Sequence, residues 1–272
     1  MYLMAKLFSV ASWNVEHFKD DVSRIGRVVQ FLKNQNPDVF ALYEVEGKTV
    51  FGELTTRMPD YQFHLTEGEQ VQEILVGARK TLTAFFTQKL EFKSGNTYLR
   101  PGALLTVTVG GAHYPLLFLH TKSSSQPIGL GIRDDMLQRA LEFRKTLEAV
   151  PPGAPANYLF LGDLNIMGMD YPFDRSIQPE LELRKLDANA NPRKMRRLAK
   201  TKEMTWWNGP ASQMPPSNLD HVVAADHLKF KVFGGGAEIE VRGWASLTTD
   251  AQKQQWIKDY SDHSLLFFQL EK

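Results

Sequence analysis

Short apolar runs alternate with amphipathic stretches along most of the chain. Residues 22–33 are apolar at positions 22, 25, 28, 29 and 32, which is the spacing of one helix face. Two further amphipathic stretches predict helices over 48–57 and 133–149. Apolar runs between turn residues predict strands. The predicted strands cover residues 7–13, 38–43, 61–65, 73–79, 82–86, 103–109, 115–119, 158–161, 220–224, 230–233 and 265–270.

The order of these elements predicts an α/β fold. Strands and helices alternate at first, but from residue 61 onward strands follow one another with short turns. Mixed parallel and antiparallel strands with helices outside are typical of a two-sheet sandwich. No flexible linker divides the chain, so we expect one domain over residues 1–272.

Five polar motifs lie in or at the ends of the strand-like runs. Burying acidic and amide side chains at the ends of strands costs desolvation free energy unless a bound partner compensates for it. A shared cation site is the simplest explanation. The donors are oxygen and imidazole without sulfur, a combination that suits Mg²⁺ or Mn²⁺ and hence phosphate chemistry. The motifs are residues 12–16, 43–45, 120–122, 162–165 and 261–263.

One basic segment stands out in a nearly neutral protein. The formal net charge is +1, so attraction to a polyanion must come from a local patch. Residues 184–202 contain eight lysines and arginines against one carboxylate, Asp187, and two tryptophans follow. Cations beside aromatic rings favour a nucleic-acid strand. The alternative is a solvated basic helix with both tryptophans in the core. The residues that we assign to substrate binding here are Arg193, Lys194, Arg196, Arg197, Trp206 and Trp207.

No apolar run approaches the roughly 20 residues that a membrane span requires. The first 13 residues are also weak as a signal peptide, because serines interrupt a short apolar stretch. We therefore expect a cytoplasmic protein with no membrane partner and no obligate protein partner.

The polar motifs occur in the order found in the endonuclease/exonuclease/phosphatase superfamily, and the chain resembles that superfamily over nearly its whole length. A single Gly-Asp-x-Asn is common in turns, but together with an early Asn and Glu and a terminal Ser-Asp-His it is specific. The resemblance implies a four-layered α/β sandwich, two central mixed sheets flanked by helices, with the metal and phosphate site at one rim. The matching positions are Asn14, Glu16, Glu44, Arg100, His120, 162–165, 219–221 and 261–263.

Three carboxylates are the expected metal ligands. Glu44 ends a strand and is the strongest candidate, and Glu16 and Asp262 complete the set. Strand alternation would place Glu16 on the same side as Asn14, whose amide could bind phosphate, hold Glu44 or merely stabilise a turn. Asp262 and His263 are adjacent, so both can serve one site only if the chain bends into a loop there.

The remaining motif residues are expected to act on the phosphate. Asp163 would orient or deprotonate the attacking water and Asn165 would bind a phosphoryl oxygen from the same strand face, although an Asx turn is the alternative. His263 would contact the scissile phosphate, and the family pattern supplies Asp220 as the partner that sets its tautomer. His120 would be a second phosphate donor or proton carrier, or only a structural histidine.

Arg100 matches the position of a phosphate-facing arginine in the superfamily; its alternative is a solvated charge. Two departures limit the resemblance. His221 follows Asp220 where relatives commonly carry an aromatic or aliphatic residue, and no partner for His120 is evident, although Gln72 and Glu73 precede the right strand.

Three classes of function are compatible with the sequence. The first is a divalent-metal-dependent nuclease, with DNA favoured over RNA as substrate. The second is a phosphodiesterase or phosphatase on a small molecule or lipid head group. The third, a non-catalytic binding protein, is disfavoured because every catalytic motif is present.

Overall fold

Two mixed β-sheets lie at the centre of the computed structural model, which describes residues 5–19, 21–69, 72–149 and 153–272. Residues 1–4 of the stretch judged weak as a signal peptide thus lie outside the described part. The strands are β1 (Lys6–Phe18), β2 (Val39–Val45), β3 (Tyr61–Leu65), β4 (Glu73–Arg79), β5 (Thr83–Lys89), β6 (Gly102–Val109), β7 (Ala112–His120), β8 (Leu159–Asp163), β9 (Met195–Arg197), β10 (Asp220–Ala225), β11 (Lys229–Phe230), β12 (Glu240–Arg242) and β13 (Leu265–Glu271). The α-helices are α1 (Val22–Gln35), α2 (Lys48–Arg57), α3 (Pro127–Glu148), α4 (Pro179–Ala190) and α5 (Asp250–Asp259).

The two sheets share a common design. The first has the order β11-β13-β1-β2-β4-β3, with β12 also paired to β13, and the second has the order β5-β6-β7-β8-β10-β9. Near the middle of each sheet two strands run parallel, β1 with β2 and β7 with β8, while their neighbours run antiparallel. The mixed α/β sandwich expected from the sequence is confirmed.

Both faces of each sheet are apolar, which explains the four layers. Successive side chains of a strand point to opposite faces, so an unbroken apolar strand packs on both sides. In β2, Val39 packs between the two sheets and Phe40 packs in the cluster that contains α1 and α2. In β8, Leu161 packs between the sheets and Phe160 packs in the cluster that contains α3 and α4.

The elements missed from the sequence carry little apolar pattern. Helix α5 buries only Ile257 among its side chains, and α4 buries three apolar ones, so neither shows a strong helical stripe. A capping box of Thr249 and Gln252 marks the start of α5 and was the available signal. Strands β9 and β12 have three residues each. The strand expected over 230–233 is shorter in the structure, where β11 covers only Lys229–Phe230. Helix α3 begins at Pro127, six residues before the predicted start.

No helix in the described ranges is both long and apolar enough to cross a membrane.

We expect Gly77→Ala to destabilise the first sheet. A Cβ at Gly77 would lie 2.3 Å from the ring of Phe40, which is fully buried. Overpacking of this kind costs about 1–3 kcal/mol, and urea unfolding at pH 7 would measure the loss. The control is Gly52→Ala in α2, where no atom lies within 4 Å of the added Cβ; alanine should be neutral or stabilising there. Equal stability of Gly77→Ala and the wild-type protein would contradict this packing.

Candidate active site

The polar motifs meet at one edge of the sandwich because parallel strands in both sheets end there. Asn14 lies late in β1 and Glu44 lies late in the parallel strand β2. His120 ends β7 in register with Asp163, which ends the parallel strand β8. Antiparallel β10 begins opposite Asp163 and so starts at the same edge.

The side chain of Asn14 joins the two sheets. Its Nδ2 donates to Glu44 Oε1 at 3.1 Å and to Asp163 Oδ2 at 3.0 Å. The Nε2 atom of His120 lies 3.5 Å from Asp163 Oδ2 and 3.7 Å from Glu44 Oε1. The Nε2 atom of His263 lies 3.7 Å from Asp163 Oδ2. Glu44, Asp163 and His263 therefore surround one point although they come from distant parts of the chain.

Strained backbone aims several of these side chains. Glu16, Glu44 and Asn165 have φ values of 46°, 64° and 47°, in the left-handed region that residues other than glycine seldom occupy. The pairing of β2 with β4 shifts register around Glu44, and that of β1 with β2 shifts after Asn14. The expectation that regular strand alternation places Glu16 beside Asn14 is therefore wrong: an irregular turn does so, with the Glu16 amide donating to Asn14 Oδ1.

The three expected metal ligands, Glu16, Glu44 and Asp262, influence one another electrostatically, but among the described residues their ligand atoms do not all lie within 4.8 Å of one another. The Asp262 amide donates to Glu16 Oε2 at 3.3 Å. Burial raises the pKa of Glu16, the charges of Asp262 and Glu44 raise it further, and Arg24 opposes them. Crowded, partly buried carboxylates repel one another, and a bound cation relieves that repulsion.

Within the described ranges, the one group of three possible metal donors whose ligand atoms lie within 4.8 Å of one another consists of Asp163, Asp220 and His263. Its atoms already bond to one another and to neighbours: His263 Nδ1 lies 2.8 Å from Asp220 Oδ2, and Asp163 accepts from Asn14 and Asn165. The oxygens of Glu44 are bonded as well, to Asn14, the His17 amide and Gln72.

Asp163 and Asn165 form a turn instead of sharing a strand face. The Asn165 amide donates to Asp163 Oδ1 at 3.0 Å, and β8 ends at Asp163. The Asx turn considered as an alternative is thus present, and the predicted shared face is wrong. Asn165 stays buried beside the site, where its Nδ2 donates to the Thr121 carbonyl at 3.1 Å. Burial raises the pKa of Asp163 to about 7; the His263 charge opposes this rise and the Asp220 charge adds to it.

His263 is held as a cation. Residues 261–264 lie in the connection between α5 and β13, where the sequence required a bend. Burial lowers the pKa of His263, but the charges of Asp220 and Asp163 outweigh it and raise the pKa to about 10. The imidazolium is therefore charged at neutral pH, and its Nε2–H faces Asp163.

His120 is neutral by contrast. It is buried, and its Nδ1 has no hydrogen-bond partner within the part of the chain that the structure covers. Burial lowers its pKa well below the ordinary value, and the charges of Arg100 and His263 lower it further.

The glycine before Asp163 is required by space. Gly162 has a φ of 141°, and a Cβ there would lie 2.0 Å from the Leu119 carbonyl oxygen and 2.7 Å from Tyr43 Oη. Larger residues would push β8 away from β7 and move Asp163.

Arg100 is connected to Glu44 through a residue that the sequence left without a role. The Arg100 Nε donates to the Gln72 carbonyl at 3.0 Å, and its guanidinium also bonds Gln72 Oε1. Gln72 Nε2 in turn donates to Glu44 Oε2 at 3.3 Å. His221 is fully buried and bonds the Asn218 carbonyl, so it packs and does not face the carboxylates of the site.

The structure does not bring the basic segment to this edge. Arg196 pairs with Ala224, four residues along β10 from Asp220, which corresponds to a separation of about 13 Å. Ion pairs also offset part of the charge excess seen in the sequence, and two of the carboxylates that pair with the arginines of residues 193–197 lie outside the segment. The ion pairs are Arg193 with Glu142, Arg196 with Glu238, and Arg197 with Asp187. The expectation that Arg193, Lys194, Arg196 and Arg197 bind substrate is therefore corrected, because they lie away from the site.

The two tryptophans lie at the rim, half-buried. Trp206 Nε1 donates to Asp262 Oδ2 at 2.7 Å, and the Trp207 amide donates to the Asp262 carbonyl at 3.0 Å. The ring of Trp207 packs on Trp244 with a centroid distance of 5.7 Å. Trp206 therefore positions the carboxylate of Asp262, and neither ring is a core residue.

Several supporting residues were missed because their partners are far away in sequence. Arg24 donates to the carbonyls of Val15, Glu16 and Tyr260, which ties together the segments that carry Glu16 and Asp262. Lys200 is buried and donates to the Asp220 carbonyl at 2.9 Å. No local pattern marks either residue.

The fold and the site define a class, a hydrolase of phosphoric esters built on a two-sheet sandwich. The model of the Endonuclease/Exonuclease/phosphatase family matches residues 11–263, and the chain belongs to that family. No curated protein matches the chain.

Solved structures share the fold at low identity. Truncated TDP2 from Caenorhabditis elegans is 19% identical with a TM-score of 0.67, over 97% of this chain and 98% of that one. TDP2 from D. rerio, complexed with single strand DNA product, is 16% identical with a TM-score of 0.66, over 97% and 99%. A mannosyl-6-phosphatase from Bacteroides thetaiotaomicron is 14% identical with a TM-score of 0.59, over 97% and 100%.

We expect Asp220→Asn to lower the pKa of His263 from about 10 toward the ordinary 6.5, because the neutral amide no longer stabilises the imidazolium. An NMR titration of the seven histidines, with His263→Gln for assignment, measures this. Since the folded pKa is raised, the contribution of the pair to stability is present below about pH 6.5 and lost as pH rises through about 10. Asp226→Asn, an exposed site just after β10, is the control; an unchanged His263 titration in Asp220→Asn would contradict the pair.

Proposed function

We propose that this protein is a divalent-metal-dependent phosphodiester hydrolase that cleaves nucleic acid, with DNA as the substrate. The observation that supports this most is the bridge of Asn14 to Glu44 and Asp163. This bridge holds Glu44 next to Asp163, and His263 lies 3.7 Å from Asp163. As metal ligand, water-activating base and cation, these three side chains would supply what hydrolysis of a phosphodiester requires.

Mg²⁺ or Mn²⁺ would be held by Glu44 with help from Glu16 and Asp262. Such an ion neutralises charge that develops on the phosphoryl and leaving oxygens. Trp206 and Arg24 keep the carboxylate group in place, the first through Asp262 and the second through the backbone next to Glu16.

Asp163 would orient and deprotonate the attacking water. Its pKa of about 7 suits a general base at neutral pH, and Asn14 and Asn165 fix both of its oxygens. Asn14 and Asn165 both lie beside the Asp163 carboxylate, so either side chain could also donate to a phosphoryl oxygen of a substrate bound there.

His263 would donate its Nε2–H to a phosphoryl oxygen, while Asp220 fixes Nδ1 as the other donor. His120, neutral and buried, would carry a proton or donate a second hydrogen bond. Arg100 would add positive charge beside Glu44.

A second candidate is hydrolysis of a small phosphate ester. It is favoured by the likeness to a mannosyl-6-phosphatase, and by the position of the basic segment away from the site. The D. rerio TDP2 neighbour, solved with single strand DNA product, favours the nucleic-acid substrate.

We expect Glu44→Ala to lower kcat on a DNA oligonucleotide by about 10²-fold or more, because metal stabilisation of the transition state is lost. The assay compares an oligonucleotide, bis(p-nitrophenyl) phosphate and mannose 6-phosphate, each with Mg²⁺, Mn²⁺ or EDTA. The matched control is Glu53→Ala, an α2 carboxylate paired with Arg57. Wild-type turnover in Glu44→Ala, or turnover that resists EDTA, would refute the metal assignment, and a preference for mannose 6-phosphate would favour the second candidate.

A further inference from the structure

A cleft of about 550 Å³ opens beside Glu44, on the side of Gln72, and most of the residues that line it take no part in the proposed reaction. Its size falls within the range of small-ligand sites, about 300–1,000 Å³. Gln72 belongs to the cleft and donates to Glu44, so a group bound there lies next to the carboxylate group of the site. The walls that matter here are Lys19, Glu46, Gln72, Tyr98, Arg100 and Lys122.

The cleft carries an excess of positive charge. Lys19 pairs with Glu46 at 3.1 Å. Among the residues that the structure places, no carboxylate lies within ion-pair distance of Arg100 or Lys122. The Arg100 guanidinium bonds Gln72, and the charges of Glu44, Asp163, Glu73 and Glu46 act on it from farther away. In a protein of net charge +1, such a local excess selects an anion.

The loop that carries Lys122 is held firmly. It follows His120 directly, and its Lys122 carbonyl accepts from Arg133 Nη1 at 3.2 Å. Arg133 is fully buried, also donates to the Ser124 carbonyl at 2.5 Å and is bound to Glu182 through both of its carboxylate oxygens. The Lys122 ammonium therefore extends from a fixed backbone into the cleft.

Tyr98 supplies an aromatic face next to these cations. Its side chain is 72% exposed, although large apolar side chains are usually packed. The backbone is fixed by Tyr98 N to Asn96 Oδ1 at 3.0 Å, and the neighbouring Leu99 is 4% exposed and anchors the segment. An exposed ring on a fixed backbone is a stacking platform for an unpaired base.

We propose that this cleft binds one nucleotide of a single strand next to the scissile phosphate. Its phosphate lies against Arg100 and Lys122, and its base stacks on Tyr98. The proposal rests on the proposed function and narrows its substrate to a strand with unpaired bases, since a base within a duplex cannot offer its face to a ring.

Tyr98→Ala should raise KM for a single-stranded oligonucleotide by about 10-fold, the effect of losing one stacked base. Tyr98→Phe should keep the wild-type value because its ring still stacks. Bis(p-nitrophenyl) phosphate, which lacks a base, should be hydrolysed equally by all three proteins. The control is Phe85→Ala on edge strand β5, a ring with the same 72% exposure.

Lys122→Gln should weaken oligonucleotide binding and reduce the slope of log K against log salt by about 0.7, the value for one phosphate of a single strand. Fluorescence anisotropy in EDTA measures this binding without turnover. The control is Lys194→Gln, an exposed lysine of the basic segment that lies away from the site.

The outcomes separate the two proposals. A wild-type protein that hydrolyses neither substrate with either metal would contradict the proposed function, while the anisotropy still tests the cleft. An active wild-type protein whose Tyr98→Ala and Lys122→Gln variants match their controls would overturn the nucleotide site. Equal losses of both variants on bis(p-nitrophenyl) phosphate would overturn it as well, because the residues would then serve any ester.

Discussion

The side-chain amide of Asn14 is the contact on which the site depends, since it bonds a carboxylate of each sheet. Two sheets packed through apolar side chains can slide or rotate slightly against each other. A polar link at the rim, supported by the Ser261 hydroxyl on the Asn14 carbonyl, fixes the edge at which the parallel strands end. Glu44 then faces Asp163 across the boundary between the two sheets. His120 and His263 each lie within 4 Å of Asp163 in this arrangement.

The cost of this arrangement is stored in the backbone and in desolvated charge. Glu16, Glu44 and Asn165 occupy left-handed conformations, each of which costs on the order of 1–3 kcal/mol for an ordinary residue. Asp163, Asp220 and His263 are buried ionisable groups. The apolar layers supply the stability that offsets this strain. Because the charged side chains are already held in position before the substrate binds, little free energy is spent on reorganising them.

Much of the fold could be predicted from the sequence, because apolar periodicity reports which faces are buried. Helices α1 and α2 and strands such as β4 were predicted close to their observed ends, whereas α5 has almost no apolar stripe to detect. The catalytic motifs could be found because each follows a buried strand. Charge partners could not: the arginines of residues 193–197 looked unpaired locally, but Glu142 and Glu238 reach them from other elements. The strained turn at Glu16 was likewise hidden, because regular alternation was the rule applied there, whereas the Asx turn at Asn165 was foreseen as an alternative.

The central claim is that a divalent cation binds the carboxylate of Glu44 at the rim, beside a separate acid–base cluster. A crystal of the protein soaked in Mn²⁺ and measured at the manganese absorption edge tests this most directly. We expect an anomalous peak in contact with Glu44. A peak between Asp163, Asp220 and His263 with none at Glu44, or no peak at saturating Mn²⁺, would contradict the account.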